Sequence, residues 1–184
     1  YLVQDDYTCK LIKDATTTTN NHDVGPCNSK HRCGTCAHWS TSKDCTMPSH
    51  TKRKLKHKVL RKADCGTQNL VYALQCTKCD ATYVGETKQA LRSRFSAHRR
   101  NIIGDKEKTH LVQHFRHAHD EVVIPTVRIL ETMEEDATTD ARRNAEAKWT
   151  MALNTVYPWG LNTNIKCKRP AEATGYILST WLGS

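Results

Sequence analysis

An α/β fold of the α+β kind is what the sequence predicts: a small three-stranded antiparallel sheet flanked by helices. Three observations carry that expectation. Two short β-rich runs, residues 69–74 and 82–84, flank a turn that bears Cys76 and Cys79, which is the pattern of a hairpin. Residues 122–130 form a β-branched run read as a third strand, with Pro125 placing a bulge or an edge at its start. Helical patterns fill the intervals: residues 88–103, 109–119 and a stretch from Thr138 or Thr139 to Leu153.

The elements follow in order. In the first helical pattern Leu91, Phe95 and Ile102 point inward, while Arg94 and His98 stand one turn apart on a shared face. In the second, His110, His114 and His117 recur at helical spacing. Either threonine can cap the third, which carries Glu146 and Trp149 near its middle. Residues 157–162, Tyr-Pro-Trp-Gly-Leu-Asn, close this unit as a turn-rich loop.

A chain of 184 residues accommodates one domain of ordinary size and a smaller appendage. With 38% hydrophobic and 26% charged residues a modest core is expected. Lys and Arg outnumber Asp and Glu by 28 to 19, so the formal charge of +9 favours polyanions, nucleic acid before an anionic membrane surface. No apolar run approaches the ~20 residues of a spanning helix, and no membrane partner is expected. No secretory leader is visible, and a first residue of Tyr1 rather than Met fits a fragment.

Nine cysteines cannot pair completely into disulfides, and ten histidines accompany them. Close pairs such as Cys33/Cys36 and Cys76/Cys79, mixed with clustered imidazoles, suit zinc better than an oxidised scaffold. That chemistry implies a reducing, intracellular compartment and an N-terminal segment stapled by zinc.

Four regions follow. Residues 1–26 are polar and threonine-rich, with Cys9 a free structural thiol. Residues 27–65 are a cysteine-rich linker too small and polar to fold on a core of its own, so a metal staple is physically reasonable. Its Cys27, Cys33 and Cys36 need a fourth ligand, for which Cys45, Cys65 and His38 compete. Between Thr51 and Lys62 the linker holds seven Lys or Arg and no acid. Leu55, Val59 and Leu60 there suggest a narrow apolar stripe on a short helix. Lys52, Arg53, Lys54, Lys56 and Lys58 are candidate phosphate contacts, or part of a nuclear address, or simply a solvated linker. Residues 66–165 form the main domain, whose Arg92, Arg99 and Arg100 add basic charge, and residues 166–184 a tail.

Two constellations carry chemistry. Cys76 and Cys79 offer half of a zinc site, and His114-x4-His119 has the spacing of a zinc-binding pair, with His110 and His117 as rivals. Such an ion would tie the hairpin turn to a later helix as a closed, structural site. Tyr72 and Tyr83, one in each hairpin strand, would ordinarily be half-buried packing. Their company is Arg94, His98 and Glu146. A phosphodiester hydrolase needs a base, a cation to offset phosphate charge, and stabilisation of the leaving oxygen, commonly by a carboxylate-bound divalent metal.

Leu70-Val71-Tyr72 and Tyr83-Val84-Gly85 resemble the two name-giving motifs of the GIY-YIG nucleases, with Leu70 and Val71 in place of Gly and Ile. In that resemblance Arg94 and His98 match the arginine and histidine of the following helix, with Arg92 a one-turn-off competitor. Glu146 before Trp149 matches the metal-binding glutamate, Asn162 the terminal asparagine, and His110 an extra mid-domain histidine. The hairpin CxxC with a later histidine pair is similar to the endonuclease domain of Penelope-like retroelements. There Cys76, Cys79, His114 and His119 would hold one zinc, and Cys27, Cys33, Cys36 and Cys65 another.

The resemblance implies a DNA endonuclease that nicks its target for retroelement integration by target-primed reverse transcription. Tyr72 would be the general base, assisted by His98 or His110. Arg94 would offset phosphate charge, Tyr83 would position the phosphate, and Glu146 would hold Mg²⁺ or Mn²⁺. Partners would be the DNA target, the element's RNA and a reverse transcriptase in the same polypeptide, in the nucleus, with room for an oligomer. The alternative expectation is a non-catalytic, zinc-containing nucleic-acid-binding module.

Overall fold

The structure is a computed structural model that describes residues 24–27, 33–40, 44–46, 54–56, 59 and 62–165, the two short segments 44–46 and 54–56 by backbone alone. Its strands are β1 (Asp44–Thr46), β2 (Lys54–Lys56), β3 (Leu70–Gln75), β4 (Thr82–Thr87) and β5 (Thr126–Thr132). Its α-helices are α1 (Leu91–Gly104), α2 (His110–His117) and α3 (Thr139–Ala152), and a single 3₁₀ turn spans Cys36–His38.

β3 is the centre of a three-stranded antiparallel sheet of order β4-β3-β5, so the α+β expectation holds. Leu70 through Leu74 are all buried, because helices cover both faces of this strand. On one face Leu70, Tyr72 and Leu74 pack with Leu91, Phe95 and Ile102 of α1 and with Leu111, Val112 and Phe115 of α2. On the other, Val71 and Ala73 pack with Ala145, Trp149 and Leu153 from α3 and its C-terminal end. Each large apolar side chain so buried contributes roughly 1.5–3 kcal/mol. The β3–β5 register shifts between Val71 and Tyr72, an irregularity immediately before the tyrosine.

Element ends have local causes. α1 begins at Leu91 rather than near 88, because Thr87 Oγ1 accepts from the Gln89 N–H and closes a tight turn first. Ala90 offers no side-chain cap; instead the Cys65 and Thr67 carbonyls accept from the N–H groups of Arg92 (2.7 Å) and Leu91 (3.0 Å). Thr109 caps α2 by accepting from Val112 N–H, and Thr138 caps α3 by accepting from Ala141 N–H. The third strand starts after Pro125, at Thr126, since proline has no N–H to give the ladder.

The linker is fastened to the sheet. Trp39 bridges Val127 in parallel, and Ser40 N–H donates to the Val127 carbonyl at 2.9 Å, so the segment extends the β5 edge. The helix expected around Leu55, Val59 and Leu60 is not what forms: Lys54–Lys56 is a strand paired antiparallel with Asp44–Thr46. Ladder pairing wins there over a stripe only three apolar residues wide. Val59 nonetheless joins the core. Lys52, Arg53, Lys58 and Leu60 lie outside the described residues, as do Cys9 and the tail 166–184. No helix among the described residues is long and apolar enough to cross a membrane.

Candidate active site and metal centres

Tyr72 is fully buried, and its hydroxyl sits between two residues of α1. Arg94 Nε donates to Tyr72 Oη at 3.1 Å, and Tyr72 Oη lies 2.7 Å from His98 Nε2. Arginine can only donate, so the phenol proton is free to point at His98. With the phenol proton directed there, Nε2 is the acceptor and the imidazole proton sits on Nδ1; the other tautomer would donate from Nε2 to the same oxygen. Arg94 and His98 reach one oxygen because four residues of helix separate them by about one turn.

Tyr83 completes the group, its ring centroid 6.5 Å from that of Tyr72 and 5.7 Å from that of His98. In the hairpin register Tyr72 faces Gly85 and Tyr83 faces Leu74, which sets both tyrosines on one side of the sheet. A Cβ on Gly85 would lie 2.7 Å from Tyr72 Oη and 2.8 Å from Tyr83 Cε1. Gly85, like the other described glycines, has no positive φ, so space rather than backbone freedom makes this position a glycine. The sequence showed the glycine but not its neighbour across the ladder.

The electrostatics favour neutral groups. Burial pushes the Tyr72 phenol far above its ordinary value, Tyr83 adds to that, and Arg94 opposes it. Burial likewise pushes Tyr83 up to about 12, with Glu146 contributing and Arg94 opposing. His98 is pushed down to about 3, first by burial and then by the Arg94 charge. Arg94 is raised, chiefly by Tyr72. Glu146, half-buried on α3, adds to the upward shift of both tyrosines, and Glu86 adds to that of Tyr83.

Two further expected members have contacts of their own. His110 stacks on Tyr157, with ring centroids 4.0 Å apart and planes 7° from parallel. Asn162 is committed to the β4 edge: its Oδ1 accepts from Val84 N–H (2.9 Å) and its Nδ2 donates to the Val84 carbonyl (2.7 Å). It positions the strand between Tyr83 and Gly85. A free strand edge needs such a partner when it is buried, which a sequence pattern cannot reveal.

Among the described residues, two four-residue groups could hold metal ions, each with its ligand atoms within 4.8 Å of one another. One is Cys27, Cys33, Cys36 and Cys65, with Sγ separations of 3.6 Å (27–36), 3.3 Å (33–65) and 3.7 Å (36–65). The other is Cys76, Cys79, His114 and His119, where Cys76 Sγ to His119 Nε2 is 3.3 Å and Cys79 Sγ to His114 Nε2 is 3.4 Å. Tetrahedral zinc with ordinary bond lengths has edges from roughly 3.3 Å (N–N) to 3.8 Å (S–S), so both groups are consistent with zinc. Lys78 N–H donates to Cys76 Sγ at 3.4 Å, and Asp80 takes a left-handed φ of 63° to close the knuckle. In the first group burial raises Cys33, but Cys65 and the Cys36 and Thr35 backbone outweigh it and bring the thiol to about 7.

The rivals are accounted for. His38 packs its ring on Phe95 at 5.6 Å, and His117 pairs with Asp105 at 3.2 Å. Cys65 occupies the fourth place of the linker group, while Cys45 is a strand residue. His119 lies beyond the end of α2, so a bend rather than one helix face brings it to His114. Of the candidate basic contacts, Arg92 and Arg100 are exposed, whereas Arg99 packs against the Gly34 knuckle.

A further buried centre had no signal in the sequence. Arg142 of α3 is 5% exposed, pairs with Glu86 at 2.9 Å, and donates to Asn69 Oδ1, the Ala137 carbonyl and Thr139 Oγ1. It ties α3 to the far end of the hairpin. Comparison with family models, curated proteins and solved structures returns no match to this chain.

Proposed function

We propose that the chain is a metal-dependent DNA endonuclease of the GIY-YIG kind, nicking target DNA by phosphodiester hydrolysis for integration of a Penelope-like retroelement. The observation that carries this reading is the Tyr72 hydroxyl, buried and held between an arginine and a neutral histidine. A packing tyrosine has no need of two such partners at once.

In this reading Tyr72 takes the proton of the attacking water while its own passes to His98 Nε2, which lies 2.7 Å away and accepts it in the Nδ1-protonated tautomer. Arg94 offsets negative charge on the phenol oxygen and on the scissile phosphate. Because burial holds Tyr72 high, the reaction leans heavily on that guanidinium. Tyr83 lines the same face and orients the phosphate, and Asn162 holds the strand that carries it. Glu146, a half-buried carboxylate close enough to raise both phenols, suits Mg²⁺, which takes one or two protein carboxylates and fills its remaining positions with water and phosphate. On Glu146 such an ion, or Mn²⁺, would supply Lewis-acid stabilisation of the leaving 3′ oxygen. Zinc in the two clusters would be structural, since each has four protein ligands and no open position.

The test is nicking of supercoiled plasmid with Mg²⁺ or Mn²⁺, comparing wild type with Glu146→Ala at matched zinc content. Nicking that disappears in the variant supports the nuclease. Wild-type protein that binds DNA or RNA but never nicks would move the assignment to a nucleic-acid-binding module, with the tyrosines as packing.

A further inference from the structure

The closing loop after α3 presents two aromatic rings to solvent beside a groove of about 530 Å³. Tyr157 is 56% exposed and Trp159 is 49% exposed, unusual for rings of that size in so polar a chain. His110 and Gln113 of α2 form the facing wall. One face of the Tyr157 ring is already covered by His110, parallel at 4.0 Å. Its exposure therefore lies on the opposite face and the edges, where a further flat ring would extend the stack.

The platform is rigid. Tyr157 N–H donates to the Asn162 carbonyl (2.8 Å), the Trp159 and Gly160 N–H groups donate to Val156, and Leu161 N–H donates to the Thr82 carbonyl (3.0 Å). A side chain at Gly160 would strike the Thr155 backbone at 2.5 Å, so the tight path admits little variation. Rings held in place before binding lose little entropy on contact. The Leu161–Thr82 bond also fixes the groove to β4, three residues from Gly85, which is about 10 Å along a strand.

We propose that this groove is a stacking site for an unpaired nucleobase of single-stranded nucleic acid. Two properties select that occupant. The two solvent-facing rings, one of them already stacked on His110, offer the π-surface on which bases of any sequence pile, and a chain of net charge +9 attracts the accompanying phosphates. A base inside a duplex has both faces covered and gains nothing from the platform. The proposal stands apart from the hydrolytic reading, because it is tested by binding alone.

Fluorescence anisotropy with a 12-nucleotide oligothymidine, its oligouridine counterpart and a duplex of equal length provides the test. The proteins are wild type, Tyr157→Ala, Tyr157→Phe and Trp159→Ala, zinc-loaded and at one salt concentration. Tyr157→Ala is expected to weaken single-strand binding roughly 5- to 100-fold, to leave the duplex unaffected, and to be rescued by phenylalanine. The DNA and RNA probes show which strand is preferred. Equal losses on duplex and single strand would overturn the proposal, because the ring would then only support the fold. Unchanged single-strand affinity would overturn it too and assign the groove to another partner, such as an aromatic peptide. Independently of any variant, ultraviolet cross-linking of 4-thiothymidine oligonucleotide to wild-type protein should mark peptides containing His110, Tyr157 or Trp159. Cross-links confined to other peptides would refute it.

Discussion

Substituting Gly85 with alanine is the smallest change that should disable the tyrosine centre. The added methyl would sit 2.7 Å from Tyr72 Oη and 2.8 Å from both Tyr72 Cζ and Tyr83 Cε1. Ordinary contact begins near ~3.5 Å, so something must move by about 0.7 Å. The phenol cannot yield freely, for it is fully buried and clasped by Arg94 at 3.1 Å and His98 at 2.7 Å. Moving it stretches one or both of those bonds. A displacement approaching 1 Å in a reacting group costs about 10²-fold in rate, and overpacking a filled site costs ~1–3 kcal/mol of stability. Under the proposed nuclease reading, Gly85→Ala should therefore nick supercoiled plasmid about 10²-fold more slowly than wild type, and its urea midpoint should fall. Tyr72→Phe is the companion: it keeps the ring, removes the hydroxyl, and should abolish nicking without the steric loss. A folded Gly85→Ala protein that nicks at the wild-type rate would refute the argument that the hydroxyl's position matters.

Metal content, pH and one buried ion pair supply further tests. Native mass spectrometry should find two zinc ions per chain, one for each four-ligand group, with Cys65→Ser and His119→Ala each losing one. In Cys65→Ser hydrogen exchange should also quicken at the Leu91 and Arg92 amides, which are held by the carbonyls of Thr67 and Cys65. His98 is held neutral down to about 3 against an ordinary 6.5, so the unfolded chain takes up its proton first as pH falls. Stability from this group is intact above pH 6.5 and declines between 6.5 and 3. At pH 5, which lies 1.5 below the ordinary value, the loss is about 2 kcal/mol at ~1.36 kcal/mol per pH unit. His98→Gln should accordingly show a smaller fall in urea stability from pH 7 to pH 5 than wild type at equal zinc loading. Arg142→Ala leaves Glu86 and Asn69 without their buried partner and should cost ~3–5 kcal/mol in urea unfolding, with lysine a poor rescue because it lacks the planar fork.

Much of this protein is written in local pattern, and local pattern was enough for it. The apolar run around Tyr72 marks a strand and Thr138 or Thr139 a helix start, whereas the covering of both faces of β3 and the Thr109 cap come from the folded chain. Arg94 and His98 share a face because helical periodicity puts them there, and paired cysteines advertise metal through spacing alone. The helix expected around Leu55 failed because strand pairing is decided by a partner that the segment itself does not contain.

Tertiary structure decided the rest, since each remaining question concerned residues far apart in the chain. Cys65 meets Cys33 across 32 positions, His98 meets Tyr72 across 26, and Asn162 meets Val84 across 78. Only the folded chain shows that His110 stacks on Tyr157. Only the ladder, by setting Gly85 opposite Tyr72, shows why that glycine has no side chain. A sequence declares which groups are present and their local geometry; which distant groups share a site depends on how elements pack, because packing minimises exposed apolar surface and unpaired polar atoms over the whole chain at once.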